Sequence, residues 1–422
     1  MRNTSYRILA DGQIVSNDTW TTGRNNNDLI IGPSGAGKTR GYVLPNILQC
    51  SESMIITDTK GVLHGQVGGI LARQGYDVRN VNLTDCLTSP WGYNPLNFIR
   101  YDQYRQKYIE QDILTIAAAL VPVESEHDPF WDLAARMVLE SIIGYVMDFL
   151  PDTEHTLSSA VKLFQTMGTQ PFDRLFDELR EVAPDSFACQ RYQMFRSISR
   201  ADKMYASIQG ILAEKLSPLT FDGTKALFDN LQKVDFHILG QRKIAVFLTI
   251  SDTDRSMDRL AALFYTQALH ALCDTADRCP DHRLTVPVRL ILDDFAANVS
   301  IPDFDKITSV IRSREISVSV ILQSLSQLEA LYGHAKSMTI INNCDNLLYL
   351  GGQDVETARY IAVKANKGIN TILQMPLDAV WLFVRGTEPQ QVSKYRLENH
   401  PLYRQQSDPV LSQEEELETL PF

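Results

Sequence analysis

Short apolar runs recur along the chain at residues 29–31, 54–56, 78–83, 244–250, 288–292, 318–322 and 347–350. Several are continuously hydrophobic rather than alternating, as expected of strands covered on both faces by helices. Amphipathic segments such as 255–273 and 301–314 separate some of them. The alternation predicts an α/β fold with a mostly parallel sheet. Before it, Tyr6-Arg7-Ile8-Leu9 and Gln13-Ile14-Val15 flank Asp11-Gly12, a hairpin signal. Near the end, residues 381–384 and 391–394 flank Arg385-Gly386-Thr387-Glu388-Pro389 and predict a second hairpin.

Between residues 101 and 234 the strand signal vanishes. Helices are predicted there over 106–120, 129–150, 156–165, 171–181, 189–216 and 224–231. The simplest organisation is an α/β domain (1–100 and 235–403) interrupted by an all-α domain (101–234), with a tail at 404–422. The longest predicted helix carries Met194, Ile198, Ala201, Tyr205, Ile208 and Leu212 as an apolar stripe, with Arg196, Arg200 and Lys203 opposite. That basic face is either simply solvated or a contact for DNA phosphates or an acidic partner.

The 422 residues allow roughly two to three domains. With 44% hydrophobic and 22% charged residues, a disordered or fibrous chain is excluded. A net charge of −11 excludes a basic coat over the whole surface but not a local basic groove. Part of the acidity lies in the tail, at Asp408, Glu414, Glu415, Glu416 and Glu418. The most apolar helical run, 137–150, contains Glu140 and Asp148 and reads as buried helix rather than membrane span. No secretory signal precedes it, and the six cysteines show no C-x-x-C pair, so free thiols in a cytoplasmic setting are expected.

The strongest chemical signal is Gly32-Pro33-Ser34-Gly35-Ala36-Gly37-Lys38-Thr39, which fits G-x-x-x-x-G-K-[ST]. It follows an apolar run and precedes a helix predicted over 39–50, which Pro45 should kink or shorten. In such a loop backbone N–H groups converge on phosphates, Lys38 reaches the β/γ-phosphates of ATP and the Thr39 hydroxyl binds Mg²⁺. Arg289-Leu290-Ile291-Leu292-Asp293-Asp294 has the shape of a Walker B strand. Asp293 would hold the Mg²⁺ and Asp294 would polarise the attacking water. Gln323, closing the run 318–322, could sit beside the γ-phosphate, and Arg312 could reach a phosphate held by a neighbouring subunit.

Together with Thr57-Asp58-Thr59-Lys60-Gly61, Trp91-Gly92-Tyr93-Asn94-Pro95-Leu96, Asp128-Pro129-Phe130-Trp131, Phe295-Ala296, Arg312-Ser313-Arg314, Gln323-Ser324-Leu325-Ser326-Gln327-Leu328, Asn342-Asn343-Cys344-Asp345 and Leu350-Gly351-Gly352, these motifs form an ordered series. In it the chain resembles the type IV secretion coupling proteins, the conjugative DNA-transfer ATPases of the TraG/TraD type. Two departures stand out. The family commonly has Asp-Pro-Lys-Gly-Glu where this chain has Asp58-Thr59-Lys60-Gly61-Val62, and many members begin with transmembrane helices that are absent here.

The resemblance implies a RecA-like motor domain interrupted by an all-α domain that selects cargo, built into a hexameric ring. It implies ATP and Mg²⁺ as ligands, and single-stranded DNA, a relaxase or relaxosome protein, and a secretion channel or membrane-anchor protein as partners. The expected place is the inner face of the bacterial cell membrane, peripherally. Other readings are a chromosome-segregation type of ring translocase, another type IV secretion ATPase, or a non-motor adaptor that binds nucleotide to recruit relaxosome proteins. The helical insert after Asn94-Pro95-Leu96 favours the coupling protein.

Overall fold

The computed structural model describes residues 5–124, 127–199, 201–295 and 299–407. Arg200, Ala296 and the acidic tail from 408 onward lie outside the described residues. The described part divides into two compact units.

The first unit takes residues 1–80, 235–253 and 269–422. It opens with an antiparallel hairpin of β1 (Tyr6–Ala10) and β2 (Gln13–Ser16). Its centre is a nine-stranded sheet. The strands are β3 (Asp28–Ile31), β4 (Ser53–Asp58) and β5 (Asp77–Asn82), followed after the helical region by β8 (Ile244–Thr249), β9 (Val288–Leu292), β10 (Ile316–Leu322), β11 (Asn346–Tyr349), β12 (Ala379–Val384) and β13 (Gln390–Ser393). The labels β6 (Tyr101–Asp102) and β7 (Lys107–Tyr108) fall to a small separate hairpin.

The order across the sheet is β13-β12-β11-β3-β10-β9-β4-β8-β5. From β11 to β8 the strands run parallel, whereas β12 and β13 turn back antiparallel at one side. The fold class is therefore the mostly parallel α/β arrangement anticipated from the apolar runs. Every residue of β3, β4, β8, β9, β10 and β11 is buried, which explains why these strands lack alternation.

One buried charge organises the sheet's middle. Asp28, the first residue of β3, lies in register with Ser319 of β10 and Asn346 of β11. Its carboxylate accepts from Arg7 Nε at 2.8 Å, Asn346 Nδ2 at 2.7 Å and the Tyr42 hydroxyl. Arg289 of β9 reaches the same carboxylate at 3.4 Å, donates to Ser319 Oγ at 3.1 Å and pairs with Glu52. Burial alone would raise the Asp28 carboxyl, but the guanidinium groups of Arg7 and Arg289 and the Tyr42 hydroxyl outweigh it and hold it below the ordinary range.

The segment after the glycine-rich loop is not one α-helix. Residues Thr39–Val43 wind as a π-turn, with Leu44 N–H donating to Thr39 O, and an α-helix follows over Leu44–Leu48. Pro45 lacks an N–H and falls in the first turn of that α-helix, where its fixed φ is tolerated.

The second unit takes residues 81–234 and 254–268 and is helical apart from β6–β7. Its core helix, Phe130–Phe149, packs against Glu110–Leu120, Leu157–Gln165, Phe187–Ile198 and Asp202–Leu216. The motif at Trp91 to Leu96 acts structurally here. A β-carbon on Gly92 would stand 2.5 Å from the Leu227 carbonyl. Asn94 accepts from Leu157 N–H and donates to His155 O, tying two segments together. Asp128 likewise accepts from Trp131 Nε1 at the start of the core helix.

The helix predicted over 189–216 is two helices, Phe187–Ile198 and Asp202–Leu216. The first helix closes with the Ser199 N–H on the Phe195 carbonyl, which the Ser199 hydroxyl also engages. The expected stripe breaks with it. Met194 and Ala201 are exposed, while Ile208 and Leu212 are buried, and the first helix buries Ala188, Cys189, Tyr192 and Phe195 instead. Arg196 and Lys203 are exposed but sit on different helices.

Replacing Arg289 by leucine leaves Asp28 with a weaker counter-charge and Glu52 with none from this side. We expect a loss of about 3–5 kcal/mol in urea unfolding. A carboxyl held low contributes stability above its unfolded value and loses it as pH falls through its folded value. Removing Arg289 raises the folded value, so the acid limb of the stability profile should move to higher pH.

Candidate active site

In a parallel sheet the carboxyl ends of neighbouring strands share one edge, and here that edge gathers the predicted chemistry. The glycine-rich loop leaves β3 at Ile31, between β10 and β11, and Gly32 N–H donates to Leu322 O at the end of β10. Gly35 and Gly37 adopt φ of +78° and +88°. Left-handed residues inside such a loop turn successive N–H groups to one side and form an anion nest.

Lys38 is buried; its ammonium donates to Gly32 O at 2.7 Å and lies 3.6 Å from Asp294 Oδ1. The Thr39 hydroxyl donates to Asp293 Oδ2 at 3.2 Å, joining the two residues expected to hold a metal. The Asp293 carboxyl is pushed up to about 6, first by burial and then by the neighbouring charge of Asp294. Asp294 takes a left-handed φ of +50°, strain that few residues other than Asn and Asp tolerate. Its Oδ1 is buried without a hydrogen-bond partner. A loop nest, a Thr–Asp pair and a strained carboxylate that faces Lys38 without a hydrogen bond make a donor set that fits Mg²⁺ and a nucleotide phosphate.

Gln323 directly follows β10, one residue beyond the carbonyl that Gly32 engages, and so lies at the same edge. Arg312 does not. It occupies the turn Ile311–Arg314 at the other end of β10, with roughly 20 Å of strand between it and Gln323. Its guanidinium donates to Thr19 O at 3.3 Å, while Arg314 forms a two-point pair with Asp277.

Other motif residues are structural. Asp58 accepts from the N–H groups of Val62 and His64 and starts the helix Leu63–Arg73. Ser324 caps the helix Leu325–Asn342 through Gln327 N–H, and Asp345 accepts from Asn25 N–H.

Two further features border the glycine-rich loop, and the sequence assigns neither of them a role. The loop Gly351-Gly352 lies against Pro33, so that a β-carbon on Gly352 would stand 3.6 Å from its ring. Lys394, just past β13, donates to Ala36 O at 2.8 Å inside the glycine-rich loop and approaches Leu350 O at 3.5 Å. Only its place at the end of the last predicted strand distinguishes it in the sequence.

A family model described as type IV secretory system conjugative DNA transfer matches residues 3–373. The chain belongs to this family. It is 24% identical over 354 residues to the protein VirD4 of Rhizobium radiobacter, covering 81% of this chain and 48% of VirD4. It thus spans about half the length of the curated relatives it matches. Among solved structures, the plasmid coupling protein TrwB in complex with the non-hydrolysable ATP analogue ADPNP aligns with a TM-score of 0.67 at 16% identity, over 94% of this chain and 90% of that one. VirB4 of Thermoanaerobacter pseudethanolicus aligns with a TM-score of 0.58 at 15% identity, over 96% and 99%. At these identities the likeness establishes the fold, the RecA-like α/β arrangement. Among the described residues of this family member, no helix is long and apolar enough to cross a membrane.

Proposed function

We propose that this chain is an ATP-hydrolysing coupling protein that links relaxosome-bound DNA to a type IV secretion channel and drives single-stranded transfer in conjugation. The observation that carries the reading is the convergence of Lys38, Thr39, Asp293 and Asp294 at one sheet edge, in a chain of the conjugative DNA-transfer family. The nucleotide complex of TrwB supports it by analogy of fold.

Bound Mg²⁺–ATP supplies the phosphoanhydride to be split and the charge that locates it. The nest at Gly35 and Gly37, with Gly32, Pro33, Ser34 and Ala36 as its backbone, binds phosphate oxygens. Lys38 contributes positive charge at the β/γ-phosphates. Thr39 and Asp293 would hold the metal. Asp294 orients the attacking water and takes its proton, and Gln323 reports the state of the γ-phosphate through β10.

In this reading the first unit is the motor domain and the helical unit selects cargo. A relaxase or relaxosome protein, single-stranded DNA and a channel or membrane-anchor protein are the partners, and the motor works peripherally at the inner face of the cell membrane. Arg312 lies far along β10 from its own glycine-rich loop, which suits a finger acting on a neighbour's nucleotide in a hexameric ring.

Lys38→Ala should abolish ATP hydrolysis and leave the far-ultraviolet circular dichroism unchanged, since the side chain sits in a loop. Unchanged turnover would reject the site. Asp294→Asn should still bind ATP with its kcat reduced about 10²–10⁴-fold; an equal loss of affinity would assign Asp294 to metal binding instead. For the ring, inactive Arg312→Ala subunits mixed with inactive Lys38→Ala subunits should regain ATPase activity where an intact Arg312 meets an intact Lys38. Mixed rings that form without recovering turnover would refute a finger in trans.

A further inference from the structure

The glycine-rich loop is held by two lysines. Lys38, from within it, ties down the carbonyls of Gly32 and Pro33. Lys394, from a segment more than three hundred residues later in the chain, ties down the carbonyl of Ala36.

The second tether acts on a particular peptide plane. In a trans peptide the C=O and the following N–H point in opposite directions across one rigid unit. Fixing the Ala36 oxygen toward Lys394 therefore fixes the Gly37 N–H away from it. Gly37 has a φ of +88°, and glycine rotates between positive and negative φ at little cost. Without a tether, the Ala36–Gly37 plane is the softest element of the nest.

The lysine is itself well anchored. Its N–H donates to Asp378 O at 2.9 Å, and the preceding Ser393 carbonyl accepts from Asp11 N–H at 3.0 Å. The chain then continues along the helix that leaves the loop. A β-carbon on Gly41 would stand 3.7 Å from Tyr395 O, and Arg40 pairs with Glu398. Lys394 is half-buried, and burial lowers its ammonium's affinity for the proton, partly offset by Asp378.

We propose that Lys394 is a positioning residue for nucleotide binding: by holding the Ala36 carbonyl it presets the Gly37 N–H toward the phosphates. The inference rests on the nucleotide reading of the loop. It concerns binding rather than chemistry, because Lys394 touches the loop and neither Asp293 nor Asp294.

The test uses the full chain, a fluorescent ATP analogue with Mg²⁺, and steady-state ATPase kinetics. Lys394→Met keeps the aliphatic stem and removes the donor. A charge-assisted hydrogen bond lost from a preset loop should raise the Kd and the KM for ATP about tenfold, with kcat within about twofold. Lys394→Arg should recover most of the affinity by restoring a charged donor. An unchanged Kd in Lys394→Met, even with a lowered unfolding midpoint, overturns the proposal, and so does a fall in kcat alone. A wild-type chain that binds no nucleotide overturns the loop's assignment together with this inference, whereas normal wild-type binding with an unaffected Lys394→Met overturns this inference alone.

Discussion

The Asp28 carboxylate is the constraint on which the rest of the α/β unit depends. It sits at the start of the strand that delivers the glycine-rich loop, and four elements reach it: the first hairpin through Arg7, the π-turn through Tyr42, and β9 and β11 through Arg289 and Asn346, while Ser319 of β10 bonds Tyr42 and Arg289. Burying such a group is costly unless it is paired, and here the pairing partners are the elements whose relative positions matter. The hydrophobic core could tolerate small slips of one strand along another. The charge network at the opposite end of β3 from the loop makes such slips expensive, because each would strand a buried ion.

Register set at one end of the sheet fixes geometry at the other. With β3, β9 and β10 parallel, and Asp28 level with Ser319 and Ser319 with Ile291, their carboxyl ends place Gly32, Asp293 and Gln323 along one edge. The apolar middles of these strands then serve as rigid spacers. This division explains the composition of β9, where an arginine stands second in the strand and two aspartates follow it. The first belongs to the anchor and the last two to the chemistry.

What the sequence disclosed follows this division. Gly32 to Thr39 and Asp293-Asp294 were legible because their chemistry is local: glycines at loop positions, polar groups at the end of an apolar run. The strands were legible because double-sided burial erases alternation. Asp28 and Arg289 were not, since their pairing spans 261 residues and each reads alone as a polar residue at a strand's beginning. Lys394 was hidden for the same reason, as its partner Ala36 is 358 residues away. The break at Ser199 was missed because apolar residues recur at helical spacing on both sides of it. The π-turn at Thr39–Val43 was half visible: Pro45 predicted a disturbance, and the structure absorbs it as a wider turn rather than a bend.

The antiparallel return of β12 and β13 carries a consequence for how copies of this chain can meet. A parallel sheet ending at β11 would expose a row of buried-type apolar backbone, ready to accept another strand and grow into aggregates. The chain instead finishes that margin with a four-residue strand, Gln390–Ser393, whose sequence is mostly polar and whose last carbonyl is occupied by the Asp11 amide. Proline stands just before it, at Pro389. A short, polar margin of this kind offers little for strand addition, so contacts between copies at this edge would fall to side chains rather than to a continued sheet.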